Sequence, residues 1–465
     1  MDNVFEKTGV IALINLIVYY RTLFYGYVGD DLERSQRTEP VFKNWRHRWW
    51  IQFIGLRHTN SMVAHFITLW THTICCALIY LALGCNNVSF LTALLFSINP
   101  INIQGSVWIS GRNYVTSTIL TLLMFIHPLV SIIPYYFTSF FAVNAWFAPL
   151  AFLWTPYWYL SLMIPLVFFF TKHNKSTLKR KLWETGGVKT TNAEMRAVKP
   201  DKLIIFLKCF GYYFRLCLFP YITGIDHKFM YGFGTNQTDN KKGYSLDKDF
   251  CIGLICAVMP FLAYFMGYRR VGWGLWWFAV NIAMWCNFIT IQQQIGQRYV
   301  YLANVGMMFA VSSLIVNYPI LISIVITAYM VRLWYIMPSY INDYWAVEHC
   351  VMENKNFHYI WIMRGVKKYF NKDFPGAMLD FMEAYKYKPY DFKVCYNIAA
   401  LSLVLGNVPQ SRQFITLAKE NIYDEMEGEA NNPIIGLEKV ITEVEVTLKS
   451  SPNFNLDLNR IMVVK

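Results

Sequence analysis

Long apolar runs separated by short polar stretches fill the chain to about residue 337, and beyond it they stop. Runs of about 20 apolar residues match the hydrocarbon thickness a helix must cross. On that basis eleven spans are predicted, at 8–27, 61–84, 88–101, 113–127, 129–152, 156–171, 203–222, 250–268, 273–290, 301–317 and 319–337. The stretch 113–171 must hold three short spans interrupted by Pro128, Pro134, Pro149, Pro156 and Pro165. The pattern predicts an all-α, polytopic membrane protein.

From residue 338 charges rise and a different period takes over. Trp361, Gly365, Ala377, Phe381, Ala384 and Pro389 fall at the offsets of a tetratricopeptide repeat, in which small residues let two helices cross and an aromatic fills the gap. A weaker second copy over about 392–425 keeps Ala399 and Ala418 in register. The expected organisation is a transmembrane domain (1–337), a linker (338–356), tetratricopeptide-like repeats (357–425), and a final helix and tail (426–465). Two repeats are too few to stand alone, so they are expected to pack on the membrane domain or on a partner.

Composition agrees with a membrane protein: 55% of residues are hydrophobic and 15% charged, against about 25% charged in soluble domains. The net charge of +13 would suit nucleic acid, but its distribution suits cytoplasmic loops better, and no nucleic-acid partner is expected. Residues 172–202 carry nine Lys or Arg against Glu184, Glu194 and Asp201, which makes that loop cytoplasmic. Counting spans from it places Asp30 and Asp31, the 222–249 segment, the Gln292–Arg298 turn and everything after 338 on the non-cytoplasmic face. The first outer loop runs against the rule, with six basic residues (Arg34, Arg37, Lys43, Arg46, Arg48, Arg57) against four acidic ones. Either an interfacial helix anchored by Trp45, Trp49 and Trp50 or a cationic rim for a lipid phosphate accounts for it. The ten cysteines lie mostly in apolar segments with no CxxC pair, so neither disulfides nor zinc are expected. No cleavage-site pattern follows Met1–Lys7, and the first apolar segment is expected to remain as a helix.

Candidate chemistry sits in the polar breaks. Asp30 and Asp31 follow the first span directly, and a carboxylate there is costly unless used. Such a group can take a proton from an attacking hydroxyl, while the alternative is a solvated pair or a helix cap. His65 and His72 are two turns apart on one helix face, suited to interhelical hydrogen bonds or to contact with a pocket. Asn99–Arg112 forms a polar loop in which Asn102 and Gln104 can bond sugar or phosphate oxygens and Arg112 can pair with a phosphate; loop packing is the alternative. Arg298 beside Tyr299 and Tyr301 suits phosphate binding or interfacial anchoring. Asp226 and His227 add a further outer polar pair. No phosphate-cradling glycine loop or Ser-His-Asp signature appears, so nucleotide-driven chemistry has no support.

Asp30-Asp31 after the first span, His65, Thr68 and His72, the run Asn99-Pro100 to Trp108-Ile109-Ser110-Gly111-Arg112, and Arg298-Tyr299-Val300-Tyr301-Leu302 with Gly306 together resemble the GT-C superfamily. The resemblance is to membrane O-mannosyltransferase-like proteins with C-terminal tetratricopeptide repeats. It covers nearly the whole chain, and the Trp-Ile-Ser-Gly-Arg run is its most specific piece.

The resemblance implies a GT-C-like bundle and inverting transfer of a hexose such as mannose from a polyprenyl or dolichyl phosphate. The acceptor would be a Ser or Thr hydroxyl of a protein, on the non-cytoplasmic face. It implies Asp30 or Asp31 as base and Arg298 and Arg112 on the lipid phosphate. Tyr299, His65 and His72 belong to the same donor site, and Asn102, Gln104, Asp226 and His227 to acceptor or sugar contacts. Three positions depart from the family: Asn99 replaces a His, Thr68 an Asn, and Gln104 a Glu. With Gln104 a candidate carboxylate is gone, so a divalent metal is allowed but unsupported, and no metal ligands are assigned. These departures keep open a scaffold with a decayed site that binds a partner through its repeats. A transporter fits less well, because paired internal repeats are missing.

Overall fold

A computed structural model describes residues 2–29, 31, 60–135, 143–164, 202–221, 246–286, 295–353, 355, 357–389, 391–421 and 433–450. The described residues are mostly helical and contain no strand. They divide into two compact units, the first reaching Ala346 and the second beginning at Val347.

The first unit contains α1 (Asp2–Tyr19), α2 (Ser61–Ala82), α3 (Asn87–Ile98), a short α4 (Ile103–Ser106), α5 (Arg112–Ile126), α6 (Lys202–Leu218), α7 (Lys248–Phe265), α8 (Arg269–Ile282), α9 (Tyr301–Ile315) and α10 (Pro319–Ile336). Five helical segments are long and apolar enough to cross a membrane: Val4–Phe24, Ser61–Ala82, Lys248–Phe265, Gln297–Ile315 and Pro319–Tyr340. Asn87–Ile98 with Pro100–Ser106 makes a sixth if the pair, bent by 57°, counts as one span. The chain is therefore a helical, multi-pass membrane protein by length and composition.

Eleven spans are not found among the described residues. The segments expected at 113–127, 203–222 and 273–290 are α5, α6 and α8, of 15, 17 and 14 residues. At 1.5 Å per residue the described lengths fall short of the roughly 30 Å hydrocarbon core; α6 begins at the edge of the described residues, and α8 runs on through a 3-10 turn (Ala283–Trp285) to another such edge. The segments 129–152 and 156–171 lie partly outside the described residues. Where described they are largely 3-10 turns (Val143–Trp154, Trp158–Met163), as expected where prolines remove backbone donors.

Local chemistry sets the ends of the helices. Asn60 caps α2 by accepting the Met62 N–H, and Asn86 with Ser89 forms a reciprocal capping box on α3. Pro100 stops α3, and Asn99 accepts the Ile101 N–H to start the next turn. Close helix crossings use paired glycines. A Cβ on Gly306 would lie 2.3 Å from the Gly274 carbonyl oxygen, and one on Gly253 would lie 1.9 Å from that of Leu207. Without a hydrophobic drive in lipid, such backbone approach is what holds α8 to α9 and α6 to α7. Charges buried between α6 and α7 are paired, Lys208 with Asp247 at 3.3 Å and Arg215 with Asp249.

The stretch expected as a linker is ordered as a 3-10 turn (Met337–Tyr340) and α11 (Asp343–Glu353), which Asn342 caps at the Tyr344 and Trp345 N–H groups. The second unit holds α12 (His358–Phe370), α13 (Phe374–Tyr387), α14 (Phe392–Val404), α15 (Val408–Glu420) and α16 (Pro433–Ser450), each packed on the next. Asp373 and Asn407 cap α13 and α15 in the same way, each followed two residues later by a proline in the first turn. Phe381 is fully buried, and a Cβ on Gly365 would lie 2.5 Å from its ring. Asp391 caps α14 and also binds Lys388 at 3.2 Å and His358 at 3.5 Å.

Candidate functional site

Three segments far apart in the sequence meet in the first unit: the Gly26–Asp31 turn after α1, the Trp108–Arg112 turn before α5, and Gln297–Tyr301 leading into α9. Asp31 is 1% exposed. One of its carboxylate oxygens accepts the Ser110 backbone N–H at 2.8 Å and the Ser110 hydroxyl, and the other accepts the Val28 N–H at 3.4 Å. The Asp31 N–H returns to the Val28 carbonyl at 3.2 Å, and the Trp108 indole N–H donates to that same carbonyl at 3.0 Å. A buried carboxylate is tolerable only when bonded and charge-compensated. Arg112, also 1% exposed, supplies Coulombic attraction to Asp31 while its Nε donates to the Ile109 carbonyl at 3.3 Å. Asp31 thus ties the first turn to the second.

The third segment is joined through Gln104, whose Oε1 accepts the Arg298 backbone N–H at 3.0 Å. Two glycines make this junction sterically possible. A Cβ on Gly111 would sit 1.8 Å from the Gln104 carbonyl oxygen, and one on Gly105 would sit 2.4 Å from the Tyr301 ring. The Arg298 guanidinium lies 4.9 Å from the Tyr299 ring centroid and 5.4 Å from that of Trp108. Tyr299 in turn stacks on Trp285 at 3.9 Å. One terminal nitrogen of the Arg298 guanidinium also donates to the Tyr299 hydroxyl at 3.4 Å, so aromatic neighbours hold this charge in place.

The two histidines of α2 lie at different depths of this assembly. His65 meets the Gly26 carbonyl at 3.1 Å, at the first turn. His72 is fully buried, bonded to the Tyr301 hydroxyl and to the Ser97 carbonyl at 3.3 Å. Asn102 donates to the Phe96 carbonyl at 2.8 Å and accepts from Asn304 at 3.1 Å. Thr68 bonds back to the Ala64 carbonyl, and Asn99 donates to the Cys217 carbonyl at 3.0 Å. Asn99, Thr68 and Gln104 therefore all make internal hydrogen bonds. Asp30, Asp226 and His227 lie outside the described residues, as do the 32–59 stretch and the basic 172–201 loop. Among the described residues no three His, Cys, Asp or Glu side chains are grouped to hold a metal.

Ser110 and Trp108 were visible only as members of a motif, with no role of their own. Asp343 was missed altogether: its carboxylate accepts the Gly29 N–H from a stretch that reads as linker. No family model, no characterised protein and no solved structure matches the chain.

Proposed function

We propose that this chain is an inverting, membrane-embedded glycosyltransferase of the GT-C type. It would move a hexose from a polyprenyl or dolichyl phosphate to an acceptor hydroxyl, of Ser or Thr in a protein. The observation that carries this reading is the convergence of the Asp31 turn, the Trp108–Arg112 turn and Arg298, which together put carboxylate and guanidinium chemistry at one place. In the proposed step the acceptor oxygen attacks the anomeric carbon as its proton passes to a carboxylate. The bond from that carbon to the phosphate oxygen breaks, and its electron pair leaves on the polyprenyl phosphate. Arg298, backed by its aromatic neighbours, and Arg112 would hold that phosphate. Because the Asp31 carboxylate already serves Ser110 and Val28, the base in this reading is Asp30. Gln104 does not argue for decay, since it supplies an acceptor oxygen that a Glu at the same place would supply equally. The helical pairs α12–α13 and α14–α15 would act as tetratricopeptide-like repeats that present the acceptor on the non-cytoplasmic face.

One observation favours a scaffold instead: Asp31, half of the acidic pair, is occupied in holding loops together. Asp30→Asn and Asp31→Asn separate the two readings. Transferase chemistry predicts that Asp30→Asn abolishes hexose transfer from a defined polyprenyl phosphate donor while the purified protein stays folded. Asp31→Asn should lose folded protein as well as activity. Full transfer in both single variants and in the double variant would refute the transferase reading.

A further inference from the structure

The turn that carries the acidic pair is held from a third direction. After α10 the chain runs through the Met337–Tyr340 turn to Ile341, Asn342 and Asp343. The Gly26 N–H donates to the Ile341 carbonyl at 2.8 Å, and the Gly29 N–H donates to a carboxylate oxygen of Asp343. Both glycines fit the contact. A Cβ on Gly26 would approach the Ile341 oxygen at 3.2 Å, and Gly29 has a φ of +60°, which an L side chain resists. Asn342 accepts the Tyr344 and Trp345 N–H groups that cap α11, and the adjacent Asp343 reaches the turn. The turn is therefore fixed on both sides. Ser110 and Asp31 hold one side, Ile341 and Asp343 the other, and Asp30 lies in the chain between Gly29 and Asp31.

We propose that Asp343 is a positioning residue of the transfer site, whose carboxylate sets the Gly29–Asp31 turn by holding the Gly29 N–H. The claim about transfer rests on the reading above, whereas the claim about the turn does not. As an acceptor Asp343 needs an oxygen, not a charge, so Asp343→Asn preserves the role and Asp343→Ala removes it. A base would behave differently, because Asn could not replace it.

The test uses the full-length protein in detergent or nanodiscs and two readouts. Hydrogen exchange of the Gly29 amide should accelerate about tenfold or more in Asp343→Ala and stay near wild type in Asp343→Asn. In the transfer assay Asp343→Ala should lower kcat by about tenfold or more with the KM for the polyprenyl donor unchanged, and Asp343→Asn should recover most of it. Unchanged exchange in Asp343→Ala overturns the clamp. Faster exchange with full kcat overturns the positioning role, and Asp343→Asn as inactive as Ala overturns the role of a neutral acceptor oxygen. If the wild-type protein transfers nothing, the transferase reading fails while the exchange data still decide the clamp.

Discussion

Removing the acceptor oxygen at position 104 should loosen Arg298. Gln104 is fully buried, and its Oε1 takes the Arg298 N–H at 3.0 Å. Gln104→Leu keeps the approximate volume but leaves a backbone donor without its partner in a desolvated place. That costs about 1–3 kcal/mol, or roughly 5- to 150-fold in the equilibrium that keeps the 297–301 turn in place. Gln104→Glu retains an oxygen at the same point, so the hydrogen bond survives. The assay is polyprenyl phosphate affinity by thermophoresis in detergent, together with the melting temperature of each variant. Gln104→Leu should weaken binding within that range and lower Tm, and Gln104→Glu should bind far better than Leu. A Leu variant with wild-type affinity and Tm would refute the idea that this bond positions Arg298. A Glu variant as weak as Leu would show that charge, not the acceptor, governs the position.

Two other perturbations test the packing inside each unit. Gly306→Val places side-chain atoms where a Cβ already lies 2.3 Å from the Gly274 carbonyl, so the α8–α9 crossing must open. A loss of about 1–3 kcal/mol or more is expected, read as a fall in detergent Tm or in recovery of folded protein. In the second unit burial alone would raise the Asp391 carboxyl, but the His358 hydrogen bond and the Lys388 charge outweigh it and hold it well below the ordinary carboxylate range. Its contribution is therefore complete above a pH of about 4, the unfolded value, and fades as pH falls towards its depressed native value. Limited proteolysis of the 357–421 region between about pH 6 and 3 should show a loss of protection on acidification that is smaller in Asp391→Asn.

Much of the architecture was legible because it rests on local rules. Asn60, Asn86, Asp373, Asp391 and Asn407 all cap the helices they precede. Six of the expected spans coincide with helices or a helix pair of membrane-spanning length and composition. At α5, α6 and α8 the described helices fall below membrane-spanning length, and an apolar run alone does not distinguish lipid from protein as the surrounding. Within 338–356, the stretch expected as a linker, Asn342 caps the start of a helix.

The motifs Asp30-Asp31, Trp108–Arg112 and Arg298–Leu302 could be read as candidates from the chain alone, but their division of labour could not. Nothing in the sequence says that Asp31 bonds Ser110, that Gln104 takes a backbone N–H from residue 298, or that Asp343 reaches Gly29. The chain by itself determined that helices form, where most begin, and that polar residues gather in the breaks between apolar runs, because these follow from backbone capping and transfer to lipid over a few turns. Which carboxylate is held and which segment holds it was decided by tertiary structure alone. Those hydrogen bonds join residues about 80, 190 and 310 positions apart, and a buried polar group takes whichever partner the packed helices bring within reach.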